Sequence, residues 1–337
     1  MNRITRTLNQ LAPRNKRFAL AALGTAALAV TAGWIARKAH RAEKDHVPLG
    51  SFIEVDGVRL HYLDRGQGTP IVLLHGNVVS AEDFVVSGLM DRLAERYRVI
   101  AFDRPGFGHS ERPRDRLWTP DAQAALLQKA FATLGIEQPI VLGHSWGTLV
   151  ALALALRESA NVRQLVLVSG YYFPTVRLDV ALAAPPAIPV LGDVMRYTVS
   201  AITARLLIGR TVKAMFAPQS VPPDFLTTLS REMLVRPAQI RANAEDAAFM
   251  IPAAAALRKR YAELSVPTVI FAGDADKIVK PDAHARKLHA ELKNSVLHVA
   301  SGVGHMVHHA APDQVIAAIA SDEIETDPSE PATVVAT

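Results

Sequence analysis

Gly143-His144-Ser145-Trp146-Gly147 stands between a short apolar run, Pro139 to Leu142, and the helix-forming, apolar stretch Thr148 to Arg157. A glycine on each side of a serine, placed where a strand passes into a helix, permits a turn tight enough to hold the hydroxyl out above a sheet. The bland reading of Ser145 is an N-cap of the following helix. The placement favours a nucleophile instead, with the helix N-terminus stabilising a developing negative charge. A serine hydroxyl is a weak nucleophile at neutral pH and needs a base held by an orienting acid, in the chain order Ser, Asp/Glu, His. Gly273-Asp274-Ala275-Asp276 follows the strand-like TVIFA, and Gly304-His305 comes six residues past the strand-like SVLHV. We expect Ser145, Asp276 and His305 to form the catalytic set. Asp274 is the alternative acid, and its other reading is a turn-forming Asx residue. Ser169, at the end of the preceding strand, removes the second position at which an acid is commonly supplied.

A tetrahedral acyl intermediate needs two backbone donors. One is expected from the amide of Trp146, directly after the nucleophile, and the other from Asn77 in Leu74-His75-Gly76-Asn77, with Val78 as the near alternative. Of the 12 histidines, position singles out His305, while His75 and His144 read as packing or hydrogen-bonding groups near the site. His308 and His309 could enter a metal site in principle, but no carboxylate or further histidine stands at ligand spacing, and no metal is expected. The chain has no cysteine, which excludes thiolate metal sites, iron-sulfur clusters and a cysteine nucleophile. Neither a dinucleotide fingerprint nor a P-loop follows any strand-like segment, so no cofactor is expected.

These residues must be positioned by a sheet. Phe52 to Gly66 reads as two short strands around an Asp56-Gly57 turn. Apolar runs follow at 71–74, 98–102, 140–142, 164–168, 268–272 and 295–299, most of them separated by stretches of helical length, which implies a mainly parallel, eight-stranded sheet covered on both faces. Residues 51–170 and 265–320 are thus expected to form an α/β core. Between 171 and 264 the alternation stops and the chain turns rich in Ala, Leu, Met and Pro, which we read as a helical cap. Its apolar residues, among them Leu178, Leu182, Val190, Leu206, Met215 and Phe216, suit either a hydrophobic substrate or the cap's own core. The acidic segment 321–337 reads as a disordered tail.

The net charge of +5 is unevenly spread: residues 1–46 hold nine Lys/Arg and two acids, whereas 322–337 hold five acids and no base. That distribution argues against a nucleic-acid footprint and for a membrane surface. Phe18 to Ala36 has no formal charge and would span about 28 Å as a helix, a bilayer's hydrocarbon thickness. Arg14, Lys16 and Arg17 precede it, Arg37, Lys38 and Arg41 follow it, and Trp34 stands near one end. The reading is a basic segment (1–17), a transmembrane signal anchor (18–36) and a polar linker (37–50). A cleaved signal peptide ending at Ala27-Leu28-Ala29 is the rival, and the charge difference across the span leans toward an extracytoplasmic catalytic domain. Oligomeric state is not legible.

From about residue 50 to 320, the hairpin, LLHGN, DRPGFGHS at 103–110, GHSWG, GDAD, GVGH and the cap together resemble the α/β-hydrolase superfamily. The resemblance implies that fold and a serine hydrolase acting on esters, with cofactor-free haloperoxidases or perhydrolases and carbon–carbon hydrolases on the same triad as alternatives. It gives Asp103 and Ser110 structural roles. Asn77 with Trp146 also resembles the halide-holding pair of haloalkane dehalogenases, but those enzymes, like epoxide hydrolases, displace with a carboxylate, and Ser145 points to acyl chemistry. A non-catalytic ligand receptor on this fold is the reading from another class, and the complete triad weighs against it.

Overall fold

The computed structural model describes residues 13–157, 161–320 and 334–336, with side chains from Arg17 to Ala320 in these spans. The strands are β1 (Ser51–Val55), β2 (Val58–Arg65), β3 (Pro70–Leu74), β4 (Arg98–Phe102), β5 (Ile140–His144), β6 (Gln164–Val168), β7 (Thr268–Gly273), β8 (Ser295–Ala300) and β9 (Val334–Ala336). The helices of six or more residues are α1 (Pro13–Asp45), α2 (Leu89–Ala94), α3 (Pro120–Leu134), α4 (Gly147–Arg157), α5 (Leu178–Ala183), α6 (Leu191–Arg196), α7 (Val199–Phe216), α8 (Pro237–Arg258), α9 (Ala285–Glu291) and α10 (Pro312–Ala320).

All strands lie in one sheet of order β1-β2-β4-β3-β5-β6-β7-β8-β9. The opening hairpin turns at Asp56-Gly57, both with positive φ, and β2 joins β4 antiparallel. From β4 to β9 every pairing is parallel. The eight expected strands are present, and β9 is an addition: Val334 to Ala336, read from sequence as part of a disordered tail, pair with Leu297 to Val299. The remainder of that tail, 321–333 and 337, lies outside the described residues, as do residues 1–12 of the basic segment.

Alternation along each strand divides the core. Val72 and Leu74 join Leu127, Phe131, Leu149 and Leu288 on the face covered by α3, α4 and α9. Ile71 and Leu73 join Leu89, Leu93, Val315 and Ile319 on the face covered by α2 and α10. Strands buried on both faces must be apolar throughout, which is why these runs were visible in the sequence. Strand order reverses between β3 and β5, so the loops leaving their carboxyl ends diverge and leave a crevice. His75 to Val78 and the Ser145 turn emerge there.

Residues between β6 and β7 form the expected helical cap, α5 to α8 with short turns between them. Its interior is built from Ile208, Val212, Met215, Phe216, Phe225 and Leu234. The linker expected over 37–50 is a correction: α1 runs unbroken to Asp45. Arg37 to Asp45 contains neither Pro nor Gly, and the helix ends only ahead of Pro48 and Gly50. At 33 residues, α1 is about 50 Å long. Its far part docks on the catalytic unit: Ile35 is buried against Ala201 and Ile240, and His46, just past its end, meets Glu82 at 2.9 Å.

Candidate active site

Ser145 lies at the strand-to-helix turn with φ of 51°, in the left-handed region that ordinary side chains avoid. The turn is held by the Ser145 amide, which donates to the Val168 carbonyl at 2.8 Å. The flanking glycines are required by closeness. A Cβ on Gly143 would stand 2.8 Å from the Gly147 backbone, and one on Gly147 would stand 2.2 Å from the Leu74 carbonyl oxygen.

Three elements distant in sequence converge on this serine. The loop after β8 brings His305 Nε2 to 2.9 Å from Ser145 Oγ. The loop after β7 brings Asp276 Oδ2 to 2.8 Å from His305 Nδ1. Asp276 Oδ1 accepts the amides of Ile278 and Val279 at 2.7 and 2.9 Å, which fixes the carboxylate. Asp274 points elsewhere: it accepts the Gly302 amide at 2.7 Å and is exposed. Of the two acids left open by sequence, only Asp276 reaches the imidazole. Ser169 Oγ is buried and has no partner among the described residues.

The Asn77 and Trp146 amides have no acceptor among the described residues, whereas Val78 N–H donates to Asn243 Oδ1 at 2.8 Å. The near alternative for the second donor is therefore engaged with the cap. Gly76 allows the two loops to approach, since a Cβ there would lie 3.0 Å from Ser145 Cβ.

Neither neighbouring histidine competes for the role of base. His75 is pushed down to about 3 by burial and by Arg104, and it accepts the Arg104 amide at 3.0 Å. His144 is held well below its ordinary value by burial and then by His308 and His305, and it contacts the His305 carbonyl at 3.3 Å. Asp103 and Ser110 serve the turn after β4: Asp103 accepts the amides of Ala81 and His109 and meets His61, and Ser110 Oγ donates to the Asp103 carbonyl.

Sequence reasoning missed Arg104. It is fully buried, and every N–H of its guanidinium is used: Nε to His75 O, Nη2 to Gly76 O and Asn77 Oδ1, and Nη1 to Gln123 Oε1 and Asp246 Oδ2 at 2.6 Å. Its plane lies 4.4 Å from the Trp146 ring, and Trp146 Nε1 donates to the Asp246 carbonyl at 2.9 Å. One arginine thus ties the β3 loop to cap helix α8. The signal was weak because DRPG reads as a turn, and Asp246 lies 142 residues away.

His308 and His309 gain a carboxylate that spacing did not reveal. Asp83 Oδ2 meets His308 Nε2 at 2.9 Å and Asp83 Oδ1 meets His309 Nε2 at 2.8 Å. The three offer ligand atoms within 4.8 Å of one another, so the absence of a nearby acid in sequence is corrected. Both imidazoles face the one carboxylate through Nε2. Burial alone would raise the Asp83 carboxyl, but His308 and His309 hold it well below the usual range.

A family model described as the α/β hydrolase fold matches residues 69–312. The chain is similar to haloalkane dehalogenase 2 of Mycobacterium tuberculosis, 26% identical over 271 residues covering 77% of this chain and 90% of that one. It is similar to 2-hydroxymuconate semialdehyde hydrolase of Pseudomonas sp. strain CF600, 30% identical over 276 residues, covering 80% and 93%. Among solved structures, a bacterial membrane phospholipase A superposes with a TM-score of 0.62 at 21% identity, covering 92% of this chain and 99% of that one. The chain belongs to the α/β-hydrolase fold family and is a hydrolase.

Proposed function

We propose that this protein is a serine hydrolase that cleaves an ester-type acyl bond in a hydrophobic substrate through a covalent acyl-serine intermediate. The observation that carries this reading is the hydrogen-bonded chain Ser145–His305–Asp276 beneath two open amides. His305 Nε2 takes the hydroxyl proton as Ser145 Oγ attacks the carbonyl carbon, and Asp276 stabilises the resulting imidazolium. The Asn77 and Trp146 amides hold the oxyanion, each such donor contributing about 10²–10³-fold in kcat. His305 then protonates the leaving alcohol, and water repeats the cycle to free the acid. The reaction routes no step through a metal or cofactor, because base, nucleophile and oxyanion donors are all supplied by protein groups. EDTA-treated enzyme retains its activity on this account.

Dehalogenation is disfavoured on two grounds. An alkyl–serine ether has no acyl centre for water to attack, and the Trp146 indole N–H is already committed to the Asp246 carbonyl. Carbon–carbon hydrolysis is the second reading, favoured by the 30% identity to 2-hydroxymuconate semialdehyde hydrolase. It uses the same triad.

We infer in addition that α1 anchors the enzyme in a membrane, with the catalytic domain on the extracytoplasmic side. In Phe18 to Ala36 the only hydroxyl groups, Thr25 and Thr31, donate to their own helix at Ala21 O and Ala27 O (3.0 and 2.8 Å), which leaves no unpaired hydroxyl facing lipid.

The test is turnover of p-nitrophenyl esters of graded acyl length beside a vinylogous 1,5-diketone, by the parent and by Ser145→Ala. Serine-dependent ester turnover that rises with acyl length supports the reading. Turnover of the diketone alone would move it to carbon–carbon hydrolysis, and turnover of neither would point to a ligand receptor.

A further inference from the structure

We propose that the cap is itself a membrane-seated surface: the outer face of α5, α6 and α7 lies in the bilayer that α1 crosses, and the enzyme draws a lipid ester from that bilayer. The proposal rests on the reading of α1 as an anchor. Among the described residues, every exposed large apolar side chain except Leu117 falls within 18–49 or 176–207. Soluble surfaces scatter such residues singly. In the cap they are gathered. On α7, Val199, Ile202 and Leu206 repeat at helical spacing, with Leu206 74% exposed, while Ala201, Ile208, Val212 and Met215 on the other side are buried. Leu178 and Leu182 on α5 are 75% and 81% exposed, and no residue of α5 is buried. The apolar residues that sequence left divided between substrate contact and cap core thus split: Met215 and Phe216 belong to the core, whereas Leu178, Leu182, Val190 and Leu206 face outward.

Continuity with α1 identifies the occupant. The apolar stretch of α1 ends at Trp34 and Ile35, and there it meets α7: Ile35 is buried against Ala201, and the Arg205 guanidinium lies 5.7 Å from the Trp34 ring. Ile202 and Leu206 share that segment of α7, so their outward stripe begins where α1 leaves hydrocarbon. A cap lying at this level meets acyl chains, and Arg205 beside an interfacial Trp suits the headgroup layer. A second copy of the chain would have to cover α1 and the cap together, whereas a bilayer covers both in one plane.

The chain lacks cysteine, so single sites can be labelled without background. Full-length protein carrying an environment-sensitive fluorophore at Leu182→Cys, Leu206→Cys, Val30→Cys or Leu117→Cys is reconstituted in phosphatidylcholine/phosphatidylglycerol vesicles with doxyl-labelled lipid. Quenching at 182, 206 and 30 but not at 117 is expected. Quenching at 30 without 182 and 206 overturns the seated cap and leaves the anchor standing, and no quenching at any of the three removes the anchor and the proposal together. Blue-shifted but unquenched labels at 182 and 206 would mean coverage by a second copy, which also overturns it. A paired assay uses Leu182→Ser/Leu206→Ser: hydrolysis of a long-chain lipid ester in vesicles falls about tenfold or more, while turnover of a short soluble ester is unchanged. Equal loss on both substrates contradicts the proposal.

Discussion

The indole N–H of Trp146 donates to the backbone carbonyl of Asp246, 100 residues away on cap helix α8, at 2.9 Å. Trp146 is one of the two residues that resemble a halide-holding pair, and this bond removes its donor from that task. Asn77, the other, accepts from Arg104 Nη2 through Oδ1 at 2.9 Å, so the loss of the Trp146 donor is what breaks the pair. Bromide is therefore not released from bromoalkanes, and chloride or bromide produces no saturable change in tryptophan fluorescence. Sustained halide release by the parent enzyme would overturn the assignment.

The two aspartates after β7 separate by kinetics. Asp276→Asn leaves His305 without its acceptor and lowers kcat by about 10³–10⁴-fold, whereas Asp274→Asn alters only exposed contacts with the Gly302 amide and the Ser301 hydroxyl and leaves kcat near the parent value. Steady-state turnover of a soluble ester distinguishes them, and the reverse pattern would exchange their roles.

Arg104 and Asp246 form an ion pair that is fully buried on both sides. Asp246→Ala leaves the buried Arg104 charge without a carboxylate and should lower stability by about 3–5 kcal/mol, whereas Arg104→Ala leaves Asp246 paired with the buried Arg112 at 2.9 Å and should cost less. Thermal denaturation checks the size. The double variant loses less than the sum of the two singles, because the residues share one network. Additive losses would show that the pair does not act as a unit.

His46 reports the docking of α1. Its hydrogen bond to Glu82 favours the charged imidazole and raises its pKa above the ordinary value, against opposition from burial and Arg236 and with help from Asp103. His109, stacked on it at 5.5 Å, is lowered to about 4 by burial and stays neutral. A raised folded pKa stabilises docking fully below the unfolded value of 6.5, and that contribution is lost as pH rises through the folded value. Hydrogen exchange in residues 40–47 should therefore quicken over this window beyond its intrinsic rise with pH. His46→Gln should abolish the extra increase, and an unchanged profile in that variant would refute the linkage.

Legibility of the chain followed the range of the interactions. Strands buried on both faces announce themselves as apolar runs, and the glycines around Ser145 mark a turn whose geometry excludes any Cβ. Ser145, Asp276 and His305 were legible as candidates because each lies in a turn or loop at the carboxyl end of a recognisable strand. The helical form of residues 37–45 was not legible from their polarity, since charged residues without Pro or Gly continue a helix as readily as they form a linker. Arg104 with Asp246 and Asp83 with His308 and His309 stayed hidden for another reason. Their partners lie 142 or more residues apart, and nothing in local composition brings them together. The split of the cap's apolar residues into inner and outer sets also required coordinates, since both sets share one composition.

The most direct test of covalent serine catalysis is intact-mass analysis of the parent enzyme and of Ser145→Ala after exposure to a fluorophosphonate and, separately, after quenching early in turnover of a p-nitrophenyl ester. The account predicts one phosphonyl adduct and a transient acyl adduct on the parent, both mapping to Ser145 and both missing from the variant. Folded parent protein that carries neither adduct, or a variant that still acquires them, would contradict it.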